Sequence, residues 1–176
     1  MSRRVPSPDA PPLDRAALDR LALAYVGRYA TTRAKLAAYL RRKLEGRGWA
    51  GEGTPPIEAV VARVAELGYV DDVAFAGQRA AALTRRGYGA RRVREALRGA
   101  GVAADDIAPV VEGTEGEAMD AALAFARRRR IGPYAVAARD PDQRRRDLAA
   151  LMRAGHGFEV ARRVAAAAPG EKLHGH

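Results

Sequence analysis

A short pattern met three times constrains this chain more than any other feature. Two apolar residues four apart lie on a helical stretch, and a basic residue and a glycine follow. The pairs are Leu36/Leu40, Val93/Leu97 and Leu148/Met152. Spacing of three or four follows one helix face, whereas a half-buried strand alternates every second residue. A shorter apolar segment comes after each copy, with a recurrence on the order of 50 residues. One such unit cannot bury its stripe alone, so neighbouring units must stack. The expected fold is all-α, with three tandem three-helix repeats in an elongated, curved array.

Nine helical segments and no strand fit between the ends. Leu18, Leu21, Tyr25 and Tyr29 stripe the first, over about 14–29. Thr31 or Thr32 caps the second, over about 32–45, and the glycines from Gly46 to Gly53 form a loop that ends at Pro55-Pro56. Ile57, Val60, Val61 and Val64 mark the third, which Gly68 stops. Asp71-Asp72 opens the fourth, with Phe75, Ala82 and Leu83 inward, and Gly87-Tyr88-Gly89 breaks it. Val93 and Leu97 mark the fifth, and Ile107, Val110 and Val111 the sixth. Ala118, Ala122 and Phe125 stripe the seventh, Asp140-Pro141 starts the eighth, and Phe158, Val160 and Val164 face inward on the ninth. The repeats are expected at 14–70, 71–113 and 114–168. A proline-rich leader at 1–13 and a tail at 169–176 are expected to be disordered.

Composition supports this reading. Much of the 48% apolar content is alanine and only 6% of residues are aromatic; alanine favours helix over strand. The net charge of +10 comes almost wholly from arginine. It points to a polyanion (nucleic acid, anionic lipid or an acidic protein surface) unless the arginines merely solvate helix faces. Neither a signal peptide's apolar core nor a bilayer-spanning run is present, so the cytoplasm and no membrane partner are expected.

An active site has little to be built from. Cysteine is absent, and the two serines, Ser2 and Ser7, fall in the leader. Gly46-Arg47-Gly48-Trp49-Ala50-Gly51 matches a dinucleotide fingerprint literally, but a helix precedes it and prolines follow, so it reads as a loop. The pairs Asp71-Asp72 and Asp105-Asp106 stand where helices begin and read as caps. His156 is isolated, and His174 and His176 lie in the tail. No catalytic residue, metal site or cofactor is therefore expected.

What remains is basic. Arg91, Arg94 and Arg98 share one face of the fifth helix, with Arg85 and Arg86 just before it. Arg127, Arg128, Arg129 and Arg130 run unbroken at a helix end. Arg144, Arg145 and Arg146 form another group, and Lys35 and Arg42 lie opposite the leucines of the second helix. Recurrence in all three repeats favours a continuous basic face for phosphate or for an acidic protein groove.

Leu67-Gly68-Tyr69-Val70-Asp71-Asp72, followed by Phe75-Ala76, resembles the hallmark turn of the RecX family. Arg86-Gly87-Tyr88-Gly89, then Arg92, Leu97, Gly101 and Val102, is similar to that family's arginine–glycine–aromatic–glycine segment. Thr32, Leu36, Lys43 and Leu44 upstream, and Gly155, Gly157, Phe158 and Val164 downstream, fit in order. The third repeat departs from the pattern at Arg127–Arg130, at Ile131-Gly132-Pro133-Tyr134 and at His156. The resemblance implies a non-enzymatic regulator that binds the RecA recombinase filament on single-stranded DNA. It also implies restraint of ATP hydrolysis, strand exchange and co-protease function. Direct contact with DNA phosphates, and capping as against groove binding, stay open; a monomer is the default. The competing reading is a helix-turn-helix or general DNA-binding protein, with the fifth helix in a major groove. Against it, base-reading side chains beside the arginines are scarce.

Overall fold

The computed structural model describes residues 11–173, and it is all-α. The helices are α1 (Arg15–Val26), α2 (Arg33–Arg47), α3 (Ile57–Glu66), α4 (Asp72–Arg85), α5 (Ala90–Arg98), α6 (Ala104–Glu112), α7 (Ala118–Arg129), α8 (Pro141–Arg153) and α9 (Phe158–Ala166). Single 3-10 turns lie at Glu115–Glu117 and Gly132–Tyr134. Among the described residues the only β pairing is an isolated bridge between Leu13 and Trp49. None of their helices is long and apolar enough to cross a membrane. The chain forms two compact units that divide after Phe75.

In the first unit α1, α2 and α3 pack on one another around Leu18, Ala22, Leu36, Leu40, Val60 and Val64. Leu36 and Leu40 are fully buried, each contributing about 1.5–3 kcal/mol. Thr32 caps α2, its hydroxyl accepting from the Lys35 N–H at 3.2 Å. Three features of this unit depart from the expected pattern. Leu13, assigned to the leader, is fully buried; its N–H donates to Gly48 O and its carbonyl accepts from Ala50 N–H. The second helix continues through Gly46 to Arg47, whose guanidinium donates twice to Pro11 O, at 2.6 and 3.0 Å. Tyr29 is off the core stripe, because α1 ends at Val26 and Gly27 turns the chain outward.

The hallmark turn has a local physical account within this unit. Gly68 takes a left-handed φ of +78° after α3, which a side chain would strain. Val70 then drops into the core. Asp71 accepts from the Ala74 N–H at 2.8 Å and so caps α4, as expected. Asp72 does something else: its carboxylate accepts from the backbone N–H of Arg33, the first residue of α2, at 2.9 Å. The adjacent acids thus satisfy the starts of two helices. Asp105 and Asp106 were also expected as caps, but they lie in the first turn of α6, after Ala103, and act only through the helix dipole.

In the second unit α5 packs on α6, and α7, α8 and α9 pack together around Met119, Ala122, Ala126, Leu151, Ala161 and Val164. Asp140 and Gln143 form a reciprocal capping box with Pro141 at the first position of α8. Phe158, expected inward, is 54% exposed, because Gly155 and His156 occupy the interior at that turn. Residues 169–173 of the expected tail are held against the second unit: Gly170 N–H donates to Pro133 O, and Leu173 packs against the α7–α9 core. His174 and His176 lie outside the described residues.

The Gly87-Tyr88-Gly89 break is a seam between backbones. Gly87, at φ +76°, lies so near α7 that a Cβ would stand 2.6 Å from Phe125 N and 2.9 Å from Ala121 O. At Gly89 a Cβ would stand 2.5 Å from His156 N and nearer still to the Gly155 carbonyl. Gly89 N–H donates to Ala154 O at 3.0 Å, and Arg91 N–H to Gly155 O at 3.2 Å. His156, 5% exposed, hydrogen-bonds the Gly87 carbonyl at 3.2 Å, and Phe125 meets its ring edge-on. Burial lowers the His156 pKa below its usual 6.5, partly offset by that hydrogen bond.

Candidate partner-binding surface

In the second unit the basic residues divide by what their side chains already hold. On α5, Arg91 donates to the Met152 carbonyl at 2.6 Å and lies 3.9 Å from Glu95, which also meets Arg92 at 3.3 Å. Arg91 is thereby part of the seam. Arg94 and Arg98 turn instead to an open groove shared with Ala104, Ile107, Ala108 and Glu112 of α6, and with Glu115. Arg127 lies over the Tyr134 ring at 5.0 Å, and Arg145 pairs with Asp142. Arg130 ends α7 in the left-handed region, φ 54°, and its carbonyl accepts from Arg139, which also pairs with Asp147 at 3.3 Å.

Arg85, Arg86, Arg98, Arg128, Arg129, Arg130, Arg144 and Arg146 are exposed, and Arg94 is half-buried. Among the described residues no carboxylate comes within ion-pair distance of these nine side chains. Guanidinium groups held this way keep all five donors for a carboxylate or phosphate. Arg94 and Arg98 share one groove. Arg127 to Arg130 sit at the end of α7, and Arg144 to Arg146 in the opening turns of α8.

In the first unit Lys35 lies over Phe75, 5.2 Å from the ring centroid. Arg42 and Lys43 lie over Tyr39, at 5.9 and 5.5 Å, and Arg41 pairs with Glu58 at 2.6 Å. Tyr25 stacks on Tyr39 with centroids 4.2 Å apart, and Tyr29 follows at 5.2 Å from Tyr25. With Ala24, Arg28 and Arg42 these rings line an open groove of about 370 Å³. Burial raises the Tyr39 pKa, against the lowering effect of Arg42. Sequence reasoning missed this cluster because Tyr25 and Tyr29 carry core spacing; the signal for it was a cation, Arg28, beside Tyr29 just past a glycine.

Among the described residues no group of three or more His, Cys, Asp or Glu could hold a metal ion. A model of the RecX second three-helix domain matches residues 71–110. The chain is 36% identical over 155 residues to Regulatory protein RecX of Myxococcus xanthus, covering 84% of this chain and 83% of that one. It is 33% identical over 127 residues to Regulatory protein RecX of Stenotrophomonas maltophilia, covering 71% and 73%. In fold it is similar to the crystal structure of RecX from Lactobacillus salivarius, with TM-score 0.64, 14% identity and coverage of 85% and 92%. A second crystal structure, of regulatory protein RecX, gives 0.58 at 20% identity, covering 82% and 70%. At 36% identity across more than four fifths of both chains, this chain belongs to the RecX family of regulatory proteins, which are not enzymes.

Proposed function

We propose that this chain binds the RecA recombinase filament in the cytoplasm and restrains its ATPase, strand-exchange and co-protease activities without chemistry of its own. The observation that carries this reading is the match to proteins named Regulatory protein RecX over most of their length. The division into repeats at 14–70, 71–113 and 114–168 belongs to the same proposal. The family-model match at 71–110 supports its middle member. Arginines without carboxylate partners supply two-point contacts for acidic patches on RecA protomers, or for the phosphates of bound DNA. Linked weak contacts raise one another's effective concentration, so a monomer of this size grips several protomers.

Arg94→Glu/Arg98→Glu is the variant of choice, since Arg91 has a structural partner in Met152. It is expected to weaken inhibition of RecA's DNA-dependent ATPase by tenfold or more, at about 1.5–3 kcal/mol per charged hydrogen bond lost. Its far-UV circular dichroism should match the parent's. Unchanged inhibition by the folded variant discards these residues as the contact. Failure of RecA filaments to retain the parent chain in a pull-down discards the partner. The helix-turn-helix alternative needs the first turn of α5 free for base edges. Here that turn is fastened by Gly89 and Arg91 to the α8–α9 turn, which speaks against it. A sequence-specific footprint on duplex DNA without RecA would favour it.

A further inference from the structure

The arginines of the second unit leave the tyrosine-lined groove of the first unit unexplained. We propose that this groove binds single-stranded nucleic acid, a base stacking on Tyr29 and Tyr25 while Arg28 and Arg42 hold the flanking phosphates.

Four observations carry the assignment. Tyr29 is 58% exposed, beyond the end of α1, where packing does not require a large aromatic. Tyr25 is fixed from beneath by Tyr39, 4.2 Å away and inclined by only 21°, so the platform is set by two helices and not by one mobile ring. The groove lining is Ala24, Tyr25, Arg28, Tyr29, Tyr39 and Arg42, with no carboxylate among them. Arg42 and Lys43 hold their cationic groups over the Tyr39 ring, 5.9 and 5.5 Å from its centroid. Aromatic faces beside cations suit a strand whose bases are unpaired, because every base offers a π face and every linkage a negative charge. A duplex keeps its base faces stacked inside. An acidic peptide would engage the guanidinium groups and leave Tyr29 without a partner.

The proposal does not rest on the RecA reading and is tested without RecA. The full chain is titrated into two labelled oligomers of roughly 12 nucleotides, oligothymidine and an abasic strand of equal length, with fluorescence anisotropy as readout. The parent chain should prefer oligothymidine. Tyr29→Ala should lower affinity for oligothymidine by about 5- to 140-fold, the range for losing one stacked base, and leave the abasic affinity unchanged. Tyr29→Trp should restore the preference, and Arg42→Glu should weaken both strands. Equal binding of the two oligomers by the parent chain overturns the proposal. So does a Tyr29→Ala variant that keeps parental affinity or loses it equally for both strands. Polyglutamate displacing oligothymidine as well as unlabelled oligothymidine does would also overturn it, marking the groove as an acceptor of acidic protein. Because Tyr29 is mostly in solvent, its substitutions leave the fold intact.

Discussion

Replacing Gly89 with alanine asks whether the backbone seam of the second unit is as tight as its geometry states. Gly89 has an ordinary φ of −80°, so alanine meets no conformational strain there. The obstacle is space. The added carbon would lie 2.5 Å from His156 N and closer to the Gly155 carbonyl, and both are main-chain atoms that no rotamer change can move. Ordinary contact distances require the two backbones to part by roughly 1 Å. Overpacking of that kind costs about 1–3 kcal/mol. Separation also stretches the Gly89–Ala154 and Arg91–Gly155 hydrogen bonds, each worth about 1 kcal/mol. The expected loss is therefore about 3–5 kcal/mol, a large part of the roughly 5–15 kcal/mol that holds a typical domain. Urea unfolding followed by far-UV circular dichroism measures it. Gly77→Ala is the control: it lies within α4, a Cβ there meets nothing within 4 Å, and the exchange should stabilise by about 1 kcal/mol. A Gly89→Ala variant with the parental urea midpoint would refute the reasoning. A Gly77→Ala variant as destabilised as Gly89→Ala would refute it equally, because the loss would then not depend on the crossing.

Asp72→Ala should cost about 1 kcal/mol in urea unfolding by leaving the Arg33 N–H without its acceptor, whereas Asp72→Asn should recover most of it. His156 makes stability fall with acid. Its folded pKa is depressed, so the unfolded chain binds more protons just below pH 6.5. Stability is thus full above that value and declines towards the folded pKa, by at most about 1.4 kcal/mol per pH unit. A His156→Gln variant should lack that slope in thermal melts between about pH 5 and 7; an unchanged slope would place its origin elsewhere.

The helices were legible because apolar spacing, glycine stops and proline starts act over a few residues. Thr32, Asp71, Asp140 and Pro141 all sit where short-range chemistry puts them. What escaped the sequence spans long separations. Asp72 serves a helix start 39 residues earlier, and Arg91 a carbonyl 61 residues later. Tyr29 and Phe158 carry core chemistry at core spacing yet lie outside, Tyr29 because α1 ends before it and Phe158 because Gly155 and His156 take the interior at its turn. The basic clusters were visible because their arginines are neighbours in the chain. Arg145 meets Asp142 within one helical turn, but Arg91 and Arg127 find Met152 and Tyr134 only in the folded unit.

The two adjacent acids at the entrance to α4 also explain why this turn is better described by its length than by its letters. Asp71 must address its own helix while its neighbour addresses another. One residue inserted between them would misalign both tasks in a single step. Substitutions that preserve the reading frame of the turn should therefore be tolerated more readily than any change in its residue count.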